Sequence, residues 1–211
     1  MNSLTHITVI LDRSGSMQSI KSDIIGGFNT FLKQQKEVPG KATLTLVQFD
    51  TGNPYEVIHN YRPLQEIPEL NDRTFVPRGG TPLLDCLGRG INDLSEHINK
   101  LTNDQKPDKV FFIIITDGQE NSSREFKKSD IVKLIDEKKN KDNWEFLFLS
   151  ADLDAIGDAR LYGVNQTNVY VFNRDTKAVN KMWENLSASM SKARIDRNYK
   201  IDLSNNEEQK I

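Results

Sequence analysis

Cysteine is nearly absent: Cys86 is the only one, which excludes an internal disulfide and any cysteine-built zinc site. It falls in an apolar helical stretch, where a small buried thiol is the expected role. Histidine is scarce as well, and His6, His59 and His97 show no spacing that nominates a general base. No apolar run approaches the ~18 residues needed to cross a bilayer. A charged leader followed by a long apolar core is also missing at the N-terminus, so a cytoplasmic protein without membrane attachment is expected. Nor is there an excess of charge of one sign. Lys and Arg number 28 against 30 Asp and Glu, a formal net charge of -2, and nucleic acid normally requires a strongly basic face. Lys127-Lys128 and Lys138-Lys139 are interleaved with Asp130, Asp136, Glu137 and Asp142 and read as solvated helix faces. Internal repeats and low-complexity segments are absent.

What is present is an alternation of short β-rich runs with helical-period segments, the pattern of an α/β fold. His6 to Leu11 reads as the first strand. Ile20, Ile24, Phe28, Phe31 and Leu32 then recur at helical spacing. Gly26-Gly27 in that helix costs about 1 kcal/mol per residue against Ala, a cost that close backbone packing would explain. Ala42 to Phe49 reads as a second strand. The turn cluster Asp50 to Pro54 makes Tyr55 to Tyr61 its antiparallel hairpin partner, because so short a connection permits nothing else. Pro82 opens a long helix, where its missing N–H is harmless, with Leu83, Leu84, Leu87, Ile91, Leu94, Ile98 and Leu101 as its stripe. Val110 to Ile115 is continuously apolar, as befits a central strand buried on both faces.

Further along, Ile131, Leu134 and Ile135 mark a helix and Trp144 to Leu149 a strand. A short helix follows around Leu153 to Tyr162, then an edge strand from Asn168 to Phe172. The last helix runs from about Thr176 to Ala193. The expected architecture is a doubly wound, Rossmann-like open sheet, mostly parallel with one antiparallel strand, with helices on both faces and order 3-2-1-4-5-6. Residues 1–195 form this domain, and the polar, aperiodic residues 196–211 a loose tail.

Three loops in this scheme are rich in oxygen donors. Asp12-Arg13-Ser14-Gly15-Ser16 follows the first strand, Gly79-Gly80-Thr81-Pro82 precedes the long helix, and Thr116-Asp117-Gly118 follows the buried strand. Ligands of open parallel sheets bind beyond the strand ends, where strand order reverses. Two carboxylates and three hydroxyls are hard donors, suited to Mg²⁺, with Mn²⁺ or Ca²⁺ as alternatives, and unsuited to soft metals. Two carboxylates only cancel the charge of such an ion, leaving it open to a further anionic ligand from outside. Gly15 and the Gly79-Gly80 pair are expected to supply positive φ where the loops bend.

These residues resemble a known family. Asp12-Arg13-Ser14-Gly15-Ser16 looks like the D-x-S-x-S signature of von Willebrand factor A domains. Thr81 in Gly-Gly-Thr-Pro-Leu and Asp117 in Thr-Asp-Gly resemble the other two elements of that family's metal-ion-dependent adhesion site, in the family's order and spacing. The resemblance covers about residues 4 to 195. It implies that Ser14 and Ser16 ligate a metal directly, that Thr81 does so when a partner is engaged, and that Asp12 and Asp117 act mainly through bridging waters. It further implies that a Glu or Asp of a partner protein completes the coordination, and that the last helix shifts in some relatives. By analogy of fold, a domain of this kind without leader, anchor or fused domain is expected to be a bacterial or phage protein.

Plainer roles exist for each residue. Asp12, Ser14, Ser16 and Thr81 could each cap a helix, and Asp117-Gly118 is a common turn pair. Asp50 reads as a turn former and Asp85 as a favourable charge in the first turn of a helix. Two enzyme readings compete. A metal-dependent phosphohydrolase of the haloacid dehalogenase type also places an Asp after its first strand, in a D-x-D pattern. Here Ser14 stands where the proton-donating second Asp belongs, and no acidic pair follows a later strand. A serine nucleophile would need the flanking glycines of G-x-S-x-G, but Asp12 and Arg13 precede Ser14.

Overall fold

The alternating runs fold into one twisted sheet sandwiched by helices. A computed structural model describes residues 4–196 and 198–203, apart from the side chains of residues 153, 155, 156 and 158. The strands are β1 (Leu4–Asp12), β2 (Lys41–Asp50), β3 (Asn53–Pro63), β4 (Lys109–Thr116), β5 (Glu145–Ser150) and β6 (Val169–Val171). The helices are α1 (Lys21–Glu37), α2 (Leu83–Lys100), α3 (Lys128–Asp142), α4 (Leu153–Leu161) and α5 (Thr176–Ile195). The strand order is β3-β2-β1-β4-β5-β6, as the sequence led us to expect. Every pairing is parallel except β2 with β3. The helix α1 is continuous from Lys21 to Glu37, and a short 3₁₀ turn, Gly15–Ile20, joins it to the first loop.

The central strand β4 is apolar from Val110 to Ile115 because both faces are covered. Ile7, Val9 and Leu11 of β1 join a core formed with α1 and α5. Ile10 turns to the other side, where Phe112 and Ile114 of β4 meet Leu87 and Ile91 of α2 and Ile131 and Ile135 of α3. One polar exception in β1 is His6, fully buried, with Nδ1 2.8 Å from Thr43 Oγ1 and Nε2 3.1 Å from Thr8 Oγ1. Its ring stacks on Tyr61 with centroids 4.3 Å apart. Burial, with the nearby His97 adding, pushes its pKa down to about 3.

Two expectations need correction. A methyl group added at Gly27 would lie 1.9 Å from Trp183 Cδ1, so the close approach of α1 to α5 does account for that glycine. At Gly26 the same addition meets nothing within 4 Å, and packing does not explain it. The part of the expected loose tail that falls among the described residues is not loose. Ile201 and Leu203 are buried in the α1–α5 core, and Leu203 N donates to Thr167 O at 2.6 Å. Residues 204–211 lie outside the described residues. Among the described residues, no helix is long and apolar enough to cross a membrane.

Candidate functional site

Because β1 connects outward to β2 and β4 outward to β5, strand order reverses between β1 and β4, and their carboxyl ends open a crevice. Parallel register sets Leu11 beside Ile115, so Asp12 and Thr116 emerge next to each other. The Thr116 hydroxyl donates to Asp12 Oδ2 at 2.6 Å, and Asp12 Oδ1 accepts from Ser14 N at 2.7 Å. One residue further on, Asp117 Oδ1 accepts from the Ser16 hydroxyl at 2.6 Å, and Ser16 Oγ lies 3.1 Å from Ser14 Oγ. A methyl group added at Gly118 would lie 3.9 Å from Ser16 Oγ and 4.0 Å from Thr81 Oγ1. The chain therefore brings Asp12, Ser14, Ser16, Thr81 and Asp117 to one place. Ser14 makes no capping bond to the 3₁₀ turn it precedes, so the plain role considered for it is not the one it takes.

Burial shapes the electrostatics. Asp12, Asp117, Thr81 and Ser14 are all buried, while Ser16 is exposed and marks the open side. Burial raises the Asp12 pKa to about 6, opposed by the hydrogen bonds from Thr116 and Ser14 and assisted by the charge of Asp117. Asp117 is also raised, again chiefly by burial, with Ser16 and Arg174 pulling it down and Asp152 pushing it up. Its second oxygen, Oδ2, is buried without a hydrogen-bond partner and faces Arg174 Nε at 3.4 Å. Among the described residues there is no group of three or more His, Cys, Asp or Glu side chains that could hold a metal. Any ion here must rely on hydroxyls.

The loops are tied to one another with the help of Arg78, Asn121 and Glu120, which the sequence reading passed over. Gly15 N donates to Gly79 O at 2.9 Å and Arg78 N to Arg13 O at 2.8 Å. Gly79 has φ +66°, which a side chain would strain. Gly15 and Gly80 do not, so the expectation of positive φ holds for Gly79 alone. Gly80 is small for another reason: an added methyl would sit 2.7 Å from Ser122 Oγ. Thr81 is clamped by Asn121, whose Oδ1 accepts from Thr81 N at 2.9 Å and whose N donates to Thr81 O at 3.1 Å. Glu120 Oε2 accepts from Leu84 N at 2.9 Å in the first turn of α2, a favourable place for an anion.

Asp85 does more than sit in that first turn. It accepts from the backbone N–H groups of Arg124, Glu125 and Phe126 at 2.8, 2.9 and 3.0 Å. Asp50 forms its turn through Gly52 N and Asn53 N and also neutralises buried Arg13 (2.6 Å) and Arg78 (3.0 Å). Both acids are structural, as expected. Thr116 was within reach of sequence reasoning, since the register that pairs Leu11 with Ile115 places it. Arg174 carried no signal at all.

No protein-family model matches the sequence, and a comparison with curated proteins finds no match. Solved structures do share the fold. A von Willebrand factor type A structure from Catenulispora acidiphila superposes with a TM-score of 0.58 at 14% identity, covering 90% of this chain and 43% of that one. Proximal thread matrix protein 1 of the mussel byssus, with a zinc-occupied MIDAS motif, gives 0.59 at 11% identity over 90% of this chain and 46% of that one. Manganese-loaded TRAP protein of Plasmodium vivax gives 0.54 at 14% identity over 86% of this chain and 74% of that one. The chain thus spans less than half the length of the first two. At these identities the likeness establishes the fold, which is that of the von Willebrand factor A domains.

Proposed function

We propose that the chain is a metal-dependent protein-binding module, in which Asp12, Ser14, Ser16, Thr81 and Asp117 hold one divalent cation and a partner protein supplies a Glu or Asp carboxylate to it. Mg²⁺ is the ion we favour, with Mn²⁺ or Ca²⁺ as alternatives. The observation that carries the reading is Asp117, whose Oδ1 is held by Ser16 while its buried Oδ2 has no hydrogen-bond partner and only an ion-pair contact of 3.4 Å with Arg174 Nε. Buried polar atoms are rarely left so, and a cation would satisfy this one. The bound ion supplies a concentrated positive charge that two carboxylates neutralise and an outside carboxylate can still approach. Asp12 is oriented by Thr116 and Ser14 N, Thr81 by its two-way pairing with Asn121. Ser16, the exposed member, stands where a partner would arrive. The manganese-loaded and zinc-occupied relatives of the same fold favour divalent-cation binding as a class. We read the site as binding rather than catalysis because Ser14 stands where a phosphohydrolase of D-x-D type needs its second acid.

Thermal melting tests the reading. Mg²⁺ or Mn²⁺ should raise the melting temperature of wild type by mass action, and Asp12→Ala or Ser14→Ala should remove the rise. Identical responses of all three proteins to cation and chelator would sink the metal assignment. For the partner, a pull-down in Mg²⁺ should capture a protein that Thr81→Ala, or wild type in chelator, does not.

A further inference from the structure

Arg174 lies in the segment between β6 and α5 and belongs to none of the three site loops. Its Nη2 donates to the Asp117 carbonyl oxygen, and its Nε lies 3.4 Å from Asp117 Oδ2. The Arg174 side chain is 44% exposed, whereas that of Asp117 is fully buried. The guanidinium therefore reaches in from solvent toward a carboxylate that cannot move out to meet it. Asp12, buried nearby, is a second carboxylate and is raised in part by the charge of Asp117, which itself feels Asp152. Two carboxylates withdrawn from water need positive charge close by. Arg174 supplies one unit of it, to the oxygen that Ser16 does not use.

We propose that Arg174 is the resident counter-charge of this site, a built-in rival that a divalent ion must outcompete at Asp117. The inference rests on the metal reading above and adds a residue that the reading does not contain. Loading then becomes an exchange of one positive charge for two rather than simple filling, and Arg174 sets the cation concentration at which it occurs. Its long side chain can swing into solvent and its charge is always present. The rivalry is therefore electrostatic, and solvent screening of a half-exposed group limits its size.

Titration calorimetry of the full chain with MnCl₂ tests this. Arg174→Gln should bind Mn²⁺ about tenfold more tightly than wild type at low salt, with the gap narrowing at high salt. Arg174→Lys keeps the charge and should stay within about threefold of wild type. Melting supplies a second readout: in chelator Arg174→Gln should melt below wild type, and with saturating Mn²⁺ the deficit should close or reverse. Equal or weaker Mn²⁺ binding by Arg174→Gln, or tight binding by Arg174→Lys as well, would overturn the rivalry and leave Arg174 as a tether for the Asp117 loop. If no variant and not even wild type binds Mn²⁺, the metal reading itself fails and takes this inference with it.

Discussion

Gly26 and Gly27 are neighbours in α1, yet replacing each with alanine should move stability in opposite directions. In a helix interior, Gly to Ala is worth about 0.5–1 kcal/mol of stabilisation through backbone entropy and propensity. Gly26 should show that gain undiluted, because an added methyl meets nothing within 4 Å. At Gly27 the methyl would lie 1.9, 2.2 and 2.5 Å from Trp183 Cδ1, Nε1 and Cγ. Trp183 is 2% exposed and wedged against Phe28 and Phe31, with ring centroids 6.2 and 5.9 Å away. The indole has nowhere to go unless α5 backs away from α1. Overpacking of this kind costs about 1–3 kcal/mol, sometimes more, which outweighs the propensity gain. Because the propensity gain is common to both, the two variants should differ by the overpacking cost alone, roughly 1–3 kcal/mol, or about 2–12 °C in a domain of this size. Urea and thermal denaturation followed by circular dichroism measure the difference. A double variant, Gly27→Ala with Trp183→Leu, should recover part of the loss, a favourable coupling that neither change shows alone. Equal stabilities of Gly26→Ala and Gly27→Ala would refute the contact between α1 and α5.

Buried titratable groups give a second test, made in chelator and read as differences from wild type. His6, depressed to about 3, contributes stability that is complete above pH ~6.5 and lost as pH falls, at about 1.4 kcal/mol per pH unit. Asp12, raised to about 6, contributes stability that is complete below pH ~4 and lost as pH rises through 6. Between these limits the two slopes oppose each other, so His6→Gln should tilt the profile toward greater stability at low pH and Asp12→Asn toward greater stability at neutral pH; parallel profiles would refute both assignments. Arg13→Met should cost about 3 kcal/mol or more in urea unfolding, since it strips buried Asp50 of its closest cation, and a loss below ~1 kcal/mol would mean Arg78 suffices. Asp85→Ala should release the three N–H groups of Arg124 to Phe126 at about 2–3 kcal/mol, seen as faster amide exchange confined to that loop; unchanged exchange there would refute the role.

The order of strands and helices was readable because the signals were strong and local. Central strands such as Val110 to Ile115 are unbroken apolar runs, and the stripe of α2 keeps its period for more than four turns. The hairpin followed from the shortness of the connection read between Asp50 and Pro54, which the structure tightens to Thr51-Gly52. The local half of the site was legible for the same reason, since Asp12, Ser14 and Ser16 lie in five consecutive residues. What resisted reading depends on partners far away in the chain. Arg174 is 57 positions from Asp117 and Arg13 is 37 from Asp50, and neither pairing leaves a periodic trace. Ile201 and Leu203 are two apolar residues among polar ones, with no period to announce that the β6 side of the sheet would cover them. Gly26 and Gly27 look alike in sequence, and only the position of Trp183 separates them.

The proposed donor set holds two acids and three hydroxyls and no histidine, and burial gives the reason. Burial already raises Asp12 and Asp117, and each carboxylate added to the crevice would raise them further. Arg174 is the cation beside Asp117, and a third carboxylate would add repulsion that it does not offset. Hydroxyls avoid the difficulty because each has both a proton to give and lone pairs to offer. Thr116 and Ser16 spend their protons on Asp12 and Asp117, which steadies the acids, while the Ser16 lone pairs remain available to a cation. A carboxylate in either place could only accept. Exchanging Ser16 for Asp would therefore do more than add a ligand. It would set a third negative charge against Asp117 Oδ1, remove the donor that oxygen now uses, and push the Asp117 pKa higher, so that the added acid should weaken the metal-free fold even where it tightens the grip on an ion. A melting temperature in chelator equal to that of wild type would show that charge crowding does not limit this site.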